Sequence, residues 1–589
     1  MKNKLIIKFI FLGIFILAAG LRFYGLNWDQ GFLLHPDERA IIMFTLPLHF
    51  PPTLQQFLST SSPWNPHFFA YGSFPLYLLK LISSAAGYLN IQLAGYGGIG
   101  LVGRTISVFF DLGTLICVFL LGRKLKNSST GLMAASFYAI SVLPIQLSHF
   151  YAVDTILTFF LTLTIYVLVN FYERPNFAKA ILIGALLGFA FATKISTTVI
   201  LISLATALTA DFALLVLKHP LHPTYWLKTI PKFIYHLIKN LLIITVTGIV
   251  IYLILEPYAF LDFSEFWQQT LAQSQMTKDA FTFPYTLQYV GIIPYWYELK
   301  NIFLWGLGPL LATISFLGIL YGTIVAITKH TRQEKWAQEL VILIFFWAYF
   351  LTVGKFAIGF MRYMLPLYPL FCLFGAIFIY QLIRHFIKKT LVCNIFYIIL
   401  FMFFLVWPLS FIHIYSQPNT RVLASNYINQ TIPPGKTLAV EHWDDGLPLA
   451  TQPNYLIQTL ALYDQDTPEK WEKIVEQLQH TDYIIIASNR LYVPIQKLTD
   501  CNKYPQPHCY PIASKYYQNL FDDQPILKGT LLENLPNANN LRFKKISEFT
   551  IYPTIPYLHI SINDQKADES FTVYDHPKIM IFKKLNDAK

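Results

Sequence analysis

From its N-terminus to about Ile414 the chain alternates long apolar runs with short connectors rich in Lys and Arg. A run of about 20 mostly apolar residues can cross the hydrocarbon of a bilayer as a helix. In lipid every backbone polar group needs a partner within the protein, and a helix supplies those partners by itself. The pattern therefore restricts this stretch to a bundle of membrane helices. Charged residues make up only 13% of the 589, and mean hydropathy is +0.45, whereas a soluble domain carries about a quarter charged residues. Past His413 the composition becomes that of a soluble domain. Two regions are expected, residues 1–413 in lipid and 414–589 in water.

Eleven runs qualify as spans: Leu5–Leu26, Ile99–Gly122, Thr130–His149, Thr155–Phe171, Ala178–Thr193, Ser196–Leu217, Asn240–Leu255, Phe303–Ile327, Leu340–Thr352, Tyr363–Ile383 and Leu391–His413. The first is too long for a signal-peptide core and lacks a small-residue cleavage site, so it reads as a retained helix. Lys2, Lys4 and Lys8 place its start in the cytoplasm under the positive-inside bias. The same side then receives Arg123, Lys124 and Lys126; Arg174 and Lys179; Lys218, Lys228, Lys232 and Lys239; Lys329, Arg332 and Lys335; and Arg384, Lys388 and Lys389. Tyr71–Leu93 is apolar enough to span, but a span there would move every later basic connector outside. It is read as an interfacial helix. An odd number of spans puts the first loop (27–98) and everything after His413 outside the cytoplasm, in a multi-pass protein of the plasma membrane.

The formal charge of +11 is accounted for by these connectors, and no nucleic-acid-binding signature accompanies it. Cys117, Cys372 and Cys393 fall in apolar runs as core residues. Cys501 and Cys509 either close a small disulfide loop, if their domain faces an oxidising compartment, or stay as thiols. In that domain Thr437–Val440 and Tyr483–Ala487 read as strands. Pro468–Gln479, with Trp471, Ile474, Val475 and Leu478 at helical spacing, reads as an amphipathic helix. An α/β or α+β domain is expected.

Three sets of residues are candidates for chemistry. The first loop carries His35-Pro36-Asp37-Glu38-Arg39, two adjacent carboxylates between a histidine and an arginine. A solvated turn, with Asp37 capping a helix that begins near Arg39, explains the same residues. Asp154 lies between two apolar runs, where a carboxylate either caps the next helix or faces a cavity. Lys194, Lys355 and Arg362 stand at outer helix ends against the positive-inside bias, snorkelling or forming an anion pocket at headgroup level. Tyr289, Tyr295, Trp296 and Tyr297 suit an interfacial aromatic belt or a sugar-stacking surface.

Taken in order along the chain, these pieces resemble a known family. The acidic loop, the run Arg104–Arg123, Asp154, Ala192-Thr193-Lys194, Lys355 and Arg362-Tyr363-Met364-Leu365-Pro366 are similar to those of bacterial relatives of protein O-mannosyltransferases and lipid A aminoarabinose transferases. Glu441-His442-Trp443-Asp444-Asp445 and Val573-Tyr574-Asp575-His576-Pro577 look like their outer domains. The resemblance covers nearly the whole chain. It implies the GT-C glycosyltransferase fold, a sugar donor carried on polyprenyl phosphate, and an acceptor outside the cytoplasm. It also implies Asp37 as catalytic carboxylate, Asp154 as a positioning group, and Lys194, Lys355 and Arg362 around the carrier phosphate. His35, Arg39 and Tyr363 would support them. Glu38 is then a helper, or a metal ligand with His35 and Asp37, since some members need a divalent metal ion. The competing readings are a lipid-linked sugar transporter or flippase, en bloc oligosaccharide transfer on the same fold, and a polytopic scaffold with a sensory domain. A transporter commonly carries inverted repeats, and none is visible.

Overall fold

The structure, a computed structural model, describes residues 2–218, 223–328, 336–387, 389–450, 454–555 and 557–585. Of the basic connectors, Lys329, Arg332, Lys335 and Lys388 lie outside the described residues. The chain packs as two compact units. The first comprises Met1–Leu26, Pro36–Ser274 and Ile293–Pro408; the second comprises Asn27–His35, Gln275–Ile292 and Leu409–Lys589.

The first unit is helical because its apolar runs leave the backbone no other way to satisfy itself. Its helices are α1 (Lys2–Phe23), α2 (Pro36–Thr45), α3 (Ser73–Gly87), α4 (Tyr96–Leu125), α5 (Ser128–Ala139), α6 (Val142–Ser148), α7 (Val153–Glu173), α8 (Phe177–Phe191), α9 (Ile200–Lys218), α10 (Pro223–Leu255), α11 (Phe263–Met276), α12 (Pro309–Thr328), α13 (Trp336–Val353) and α14 (Tyr368–Phe386). The last apolar helix, α15 (Thr390–Ile412), ends in the second unit. Eight helical stretches among the described residues are long and apolar enough to cross a membrane, and α5 with α6, bent by 59°, qualifies as a ninth; α8 and Ile195–Ala210 are apolar but shorter. All eleven expected runs are thus helical, while eight or nine meet the length criterion.

Three local expectations change. The helix after the first loop begins at Pro36, not near Arg39, so Asp37 and Glu38 occupy its first turn. Proline suits that position because its missing N–H has no helical partner anyway. The interfacial segment is α-helical over Ser73–Gly87, 15 residues, or about 22 Å at 1.5 Å per residue, short of a bilayer core of about 30 Å, and a separate 3-10 turn follows at Ile91–Ala94. The seventh run starts well before Asn240, because α10 continues back to Pro223.

Inside the bundle Arg22 is fully buried and pairs with Asp111, whose other oxygen accepts the Tyr138 hydroxyl at 2.5 Å. Arg22 also donates to the carbonyl of Ala139 at 2.9 Å. Charges among apolar spans persist when paired in this way.

The second unit holds a five-stranded sheet. Its strands are β1 (Thr437–Glu441), β2 (Leu456–Leu460), β3 (Tyr483–Ile486), β4 (Phe543–Phe549) and β7 (Ile579–Lys584), in the order β2-β1-β3-β7-β4; β5 (Thr554–Ile555) and β6 (Ile560–Ser561) form a separate hairpin. β1 runs parallel to β2 and β3, and β7 runs antiparallel to β3 and β4. Three helices of more than ten residues accompany them among the described residues: α16 (Thr420–Thr431), α17 (Pro468–Gln479) and α18 (Pro511–Phe521). Trp471, Ile474, Val475 and Leu478 of α17 enter the core, as their spacing requires. Cys501 and Cys509 are disulfide-bonded.

This unit also buries charge. Arg421 meets Asp444 at 2.7 Å, Arg490 meets Glu569 at 2.5 Å, and His576 lies between Asp564 at 2.8 Å and Asp575 at 2.5 Å. Burial disfavours the charged imidazole, but the two aspartates outweigh it and raise the His576 pKa to about 10. His35 belongs to this unit, its ring 4.2 Å from that of Tyr574. Tyr289, also in this unit, is buried, so it is not part of an exposed belt. Trp296, in the first unit, is 63% exposed.

Candidate active site

The site is built where α2, the start of α7, the turn after α8 and the segment before α14 meet within the first unit. Asp37 sits in the first turn of α2 and Asp154 in the first turn of α7, where the positive end of a helix dipole favours carboxylates. Arg362 Nη2 lies 3.0 Å from Asp37 Oδ2, and its Nε lies 3.8 Å from Asp154 Oδ2. Lys194 Nζ stands 3.6 Å from the other oxygen of Asp154. Two cations and two carboxylates therefore alternate in one balanced chain.

Aromatic rings hold the cations in place. Lys194 Nζ lies 4.6 Å above the Tyr363 ring, and the Arg362 guanidinium lies 4.4 Å above Phe360 and 5.6 Å above Tyr363. Such contacts orient a cation without neutralising it. The Tyr363 carbonyl accepts the hydroxyl of Tyr349 at 2.9 Å, which fixes the backbone of the Arg362 segment.

One close backbone approach brings the first loop to this cluster. Gly72 N–H donates to the Thr193 carbonyl at 3.0 Å and Phe74 N–H to the Ala192 carbonyl at 3.2 Å. A Cβ on Gly72 would lie 1.9 Å from the Ala192 oxygen, so only glycine fits. Tyr71, next to it, is thereby set among Asp37, Arg362, Tyr363 and Asp154; burial first, then the Asp37 charge, holds its phenol well above the usual pKa. Tyr71 escapes pattern reading, because a tyrosine before an apolar run carries no signal of its own.

The other expected residues divide. Glu38 does not join the cluster. It is fully buried and takes both ends of the Arg104 guanidinium, Nε at 2.9 Å and Nη2 at 2.7 Å, while its Oε1 also accepts Tyr151 N–H at 3.1 Å. Arg104 further donates to the Leu26 carbonyl at 3.1 Å. This bidentate pair pins α2 to α4 and to the segment leading into α7, so it sets where Asp37 and Asp154 stand. Arg39 follows on α2, partly buried. Lys355 is exposed and outside the cluster, on the same segment as Arg362. His35 lies in the second unit. Among the described residues, the three-residue group that could hold a metal ion is His67, Asp262 and Glu265.

Comparison with known proteins gives the fold. The apo oligosaccharyltransferase of Archaeoglobus fulgidus superposes with a TM-score of 0.50 at 13% identity, over 98% of this chain and 88% of that one. The chain has the GT-C fold. Other GT-C structures are more distant: ArnT of Cupriavidus metallidurans bound to undecaprenyl phosphate gives a TM-score of 0.42 at 12% identity over 84% of this chain and 95% of that one. The Pmt1-Pmt2 protein O-mannosyltransferase complex of S. cerevisiae, bound to its sugar donor, gives 0.30 at 14% identity over 44% and 34%. The profile of the dolichyl-phosphate-mannose-protein mannosyltransferase family matches residues 91–236, a stretch that contains Arg104, Asp154 and Lys194. No curated protein matches the chain in sequence.

Proposed function

We propose that this protein is a membrane glycosyltransferase that moves a sugar from a polyprenyl-phosphate carrier to an acceptor outside the cytoplasm. The observation that carries the reading is the Asp37–Arg362–Asp154–Lys194 chain, which pairs a carboxylate of the first loop with cations suited to a phosphate. Asp37 is the base. It takes the proton of the acceptor hydroxyl as that oxygen bonds to the anomeric carbon. The bond from that carbon to the phosphate oxygen breaks, its electron pair leaves on the carrier, and attack from the opposite face inverts the centre. Arg362 and Lys194 receive the negative charge that develops on the leaving phosphate. Asp154 keeps the two cations together before the carrier arrives. When the phosphate engages Arg362, Asp37 loses its cationic partner and becomes a stronger base, so donor binding prepares the acceptor step. The disulfide in the second unit accords with a non-cytoplasmic location.

The experiment is Asp37→Asn in membranes supplied with a labelled polyprenyl-phosphate sugar. The expected outcome is a loss of transfer of about 10²–10⁴-fold with normal insertion; full activity sinks the assignment of Asp37. En bloc oligosaccharide transfer is a second reading, favoured by the fold match that runs over 98% of the chain to an oligosaccharyltransferase. The mass added to the acceptor separates the two, one sugar against several. Redistribution of lipid-linked sugar with no covalent product would instead support a transporter.

A further inference from the structure

We infer that His67, Asp262 and Glu265 form a binding site for a divalent transition metal of the zinc class, separate from the Asp37 cluster and independent of the reaction proposed for it. The three ligand atoms lie within 4.8 Å of one another. His67 Nδ1 is 2.7 Å from Glu265 Oε2 and 3.7 Å from Asp262 Oδ2. A tetrahedral ion with nitrogen and oxygen ligands at about 2.0–2.1 Å separates neighbouring ligand atoms by about 3.3–3.4 Å. The two distances from His67 lie on either side of that value, and the Asp262 and Glu265 oxygens are within 4.8 Å of each other.

The backbone supplies this geometry from two distant segments. Asp262 precedes α11 and its carbonyl accepts Phe266 N–H at 3.1 Å. Glu265 follows in the first turn of that helix, and residues three apart share one helix face. His67 arrives from the first loop with a positive φ of 48°, a conformation uncommon outside glycine.

A second layer of hydrogen bonds orients the ligands, as metal sites require. Asn65 Nδ2 donates to Asp262 Oδ2 at 2.9 Å, and Asn65 Oδ1 accepts His67 N–H at 3.1 Å. Gln269 Nε2 donates to Glu265 Oε1 and to the His67 carbonyl, both at 3.2 Å, while its oxygen accepts Phe69 N–H at 2.6 Å. Glu265 is thereby held by the oxygen that does not face His67. One neutral imidazole and two carboxylates make a borderline set that suits zinc or manganese better than calcium. The His67 side chain is 47% exposed, which leaves room for water ligands and for entry of the ion. Once bound, the metal fastens the first loop, five residues before Gly72, to α11. A simple ion pair of His67 with two acids at a helix start is the competing account, and metal stoichiometry distinguishes them.

The full chain, purified in detergent and stripped with chelator, is titrated with Zn²⁺ and its metal content measured by mass spectrometry. We expect one equivalent that is lost in His67→Ala and in Asp262→Asn, kept in the exposed His480→Ala control, and accompanied by a rise in Tm absent from His67→Ala. Loading with Co²⁺ gives a positive test: a His67→Cys variant should add a thiolate-to-metal charge-transfer band while folding normally. No zinc retained by the wild-type chain, unchanged stoichiometry in His67→Ala, or cobalt bound without that band in His67→Cys each overturns the site.

Discussion

Both units bury short, closed charge pairs, in the first Arg22–Asp111 and Glu38–Arg104, but the first also holds a charge cluster of a different kind. In the second unit the buried pairs are short and closed: Arg421–Asp444 at 2.7 Å, Arg490–Glu569 at 2.5 Å and His576 between two aspartates at 2.5 and 2.8 Å. In the first unit the Asp37 cluster is slack, with separations of 3.0, 3.6 and 3.8 Å and with Asp37 and Lys194 side chains about one-fifth exposed. The closed pairs use their full charge on each other and so define a fold. The wider spacing of the cluster, with Asp37 and Lys194 partly open to water, suits cations that can re-pair with an arriving phosphate. Asp37 and Glu38 carry the same contrast in adjacent residues of one helix turn.

The largest expected effects test that adjacent pair. Asp37→Asn should abolish transfer by about 10²–10⁴-fold while the detergent-solubilised protein melts as the wild type does. Glu38→Gln should do the reverse in kind. It strands a buried Arg104 and should destabilise the fold by about 3–5 kcal/mol, read as lost yield and a lower Tm. If Glu38→Gln kept its Tm and lost only activity, the division between a fixing and a reacting carboxylate would fail.

The second unit offers a pH test of a similar size. His576 has its pKa raised from 6.5 to about 10, which corresponds to about 5 kcal/mol at 1.36 kcal/mol per tenfold change. A raised histidine contributes stability that is complete below about pH 6.5 and is lost as pH climbs through about 10. Glu441, buried, with its pKa raised to about 8, loses stability in the same direction between about pH 4.5 and 8. The unfolding midpoint of this unit should therefore fall from pH 6.5 to 10. His576→Gln should flatten the part above pH 8 and leave the Glu441 part below it. An unchanged slope above pH 8 would show that the two aspartates do not hold an imidazolium.

Next in size come the cations. Lys194→Ala should lower transfer by about 10²-fold, since it removes one of the donors stabilising the leaving phosphate. Lys355→Ala should change it less than twofold in a cluster that Lys355 does not enter. The ratio of the two variants, assayed at saturating carrier, sharpens the boundary of the site; equal losses would extend it along the 354–360 segment.

Much of this was legible along the chain because membrane helices are written locally. Apolar runs mark the spans, and β1, β3 and α17 follow from short periodic segments. Asp37, Asp154, Lys194 and Arg362 stand out because charge is rare in that setting. What the sequence does not display is pairing at a distance. Glu38 and Arg104 are 66 residues apart, and His67 and Glu265 are 198 apart, so neither partner predicts the other. β7 carries no such local signal, because a strand in the middle of a sheet is fixed by neighbours that come from elsewhere in the chain.

Tyr71 is the clearest case of a residue found only in three dimensions, and it yields the smallest prediction. Burial first and then Asp37 raise its phenol pKa, so it stays protonated through any working pH and keeps an O–H to offer to the cluster. A neutral donor beside a carboxylate steadies the charged form without competing for the proton the base must take. One hydrogen bond to a charged group is worth about 1.5–3 kcal/mol when buried and less when partly wet. Tyr71→Phe keeps the ring and removes only the donor. It should therefore lower kcat/KM by about 3- to 30-fold, raise the pH at which activity appears, and leave the Tm unchanged. A loss as large as that of Asp37→Asn would make the phenol itself the reacting group and would shift the base from the carboxylate of α2 to the loop held by Gly72. No loss at all would place Tyr71 among the packing residues and confine the slack cluster to its four charges.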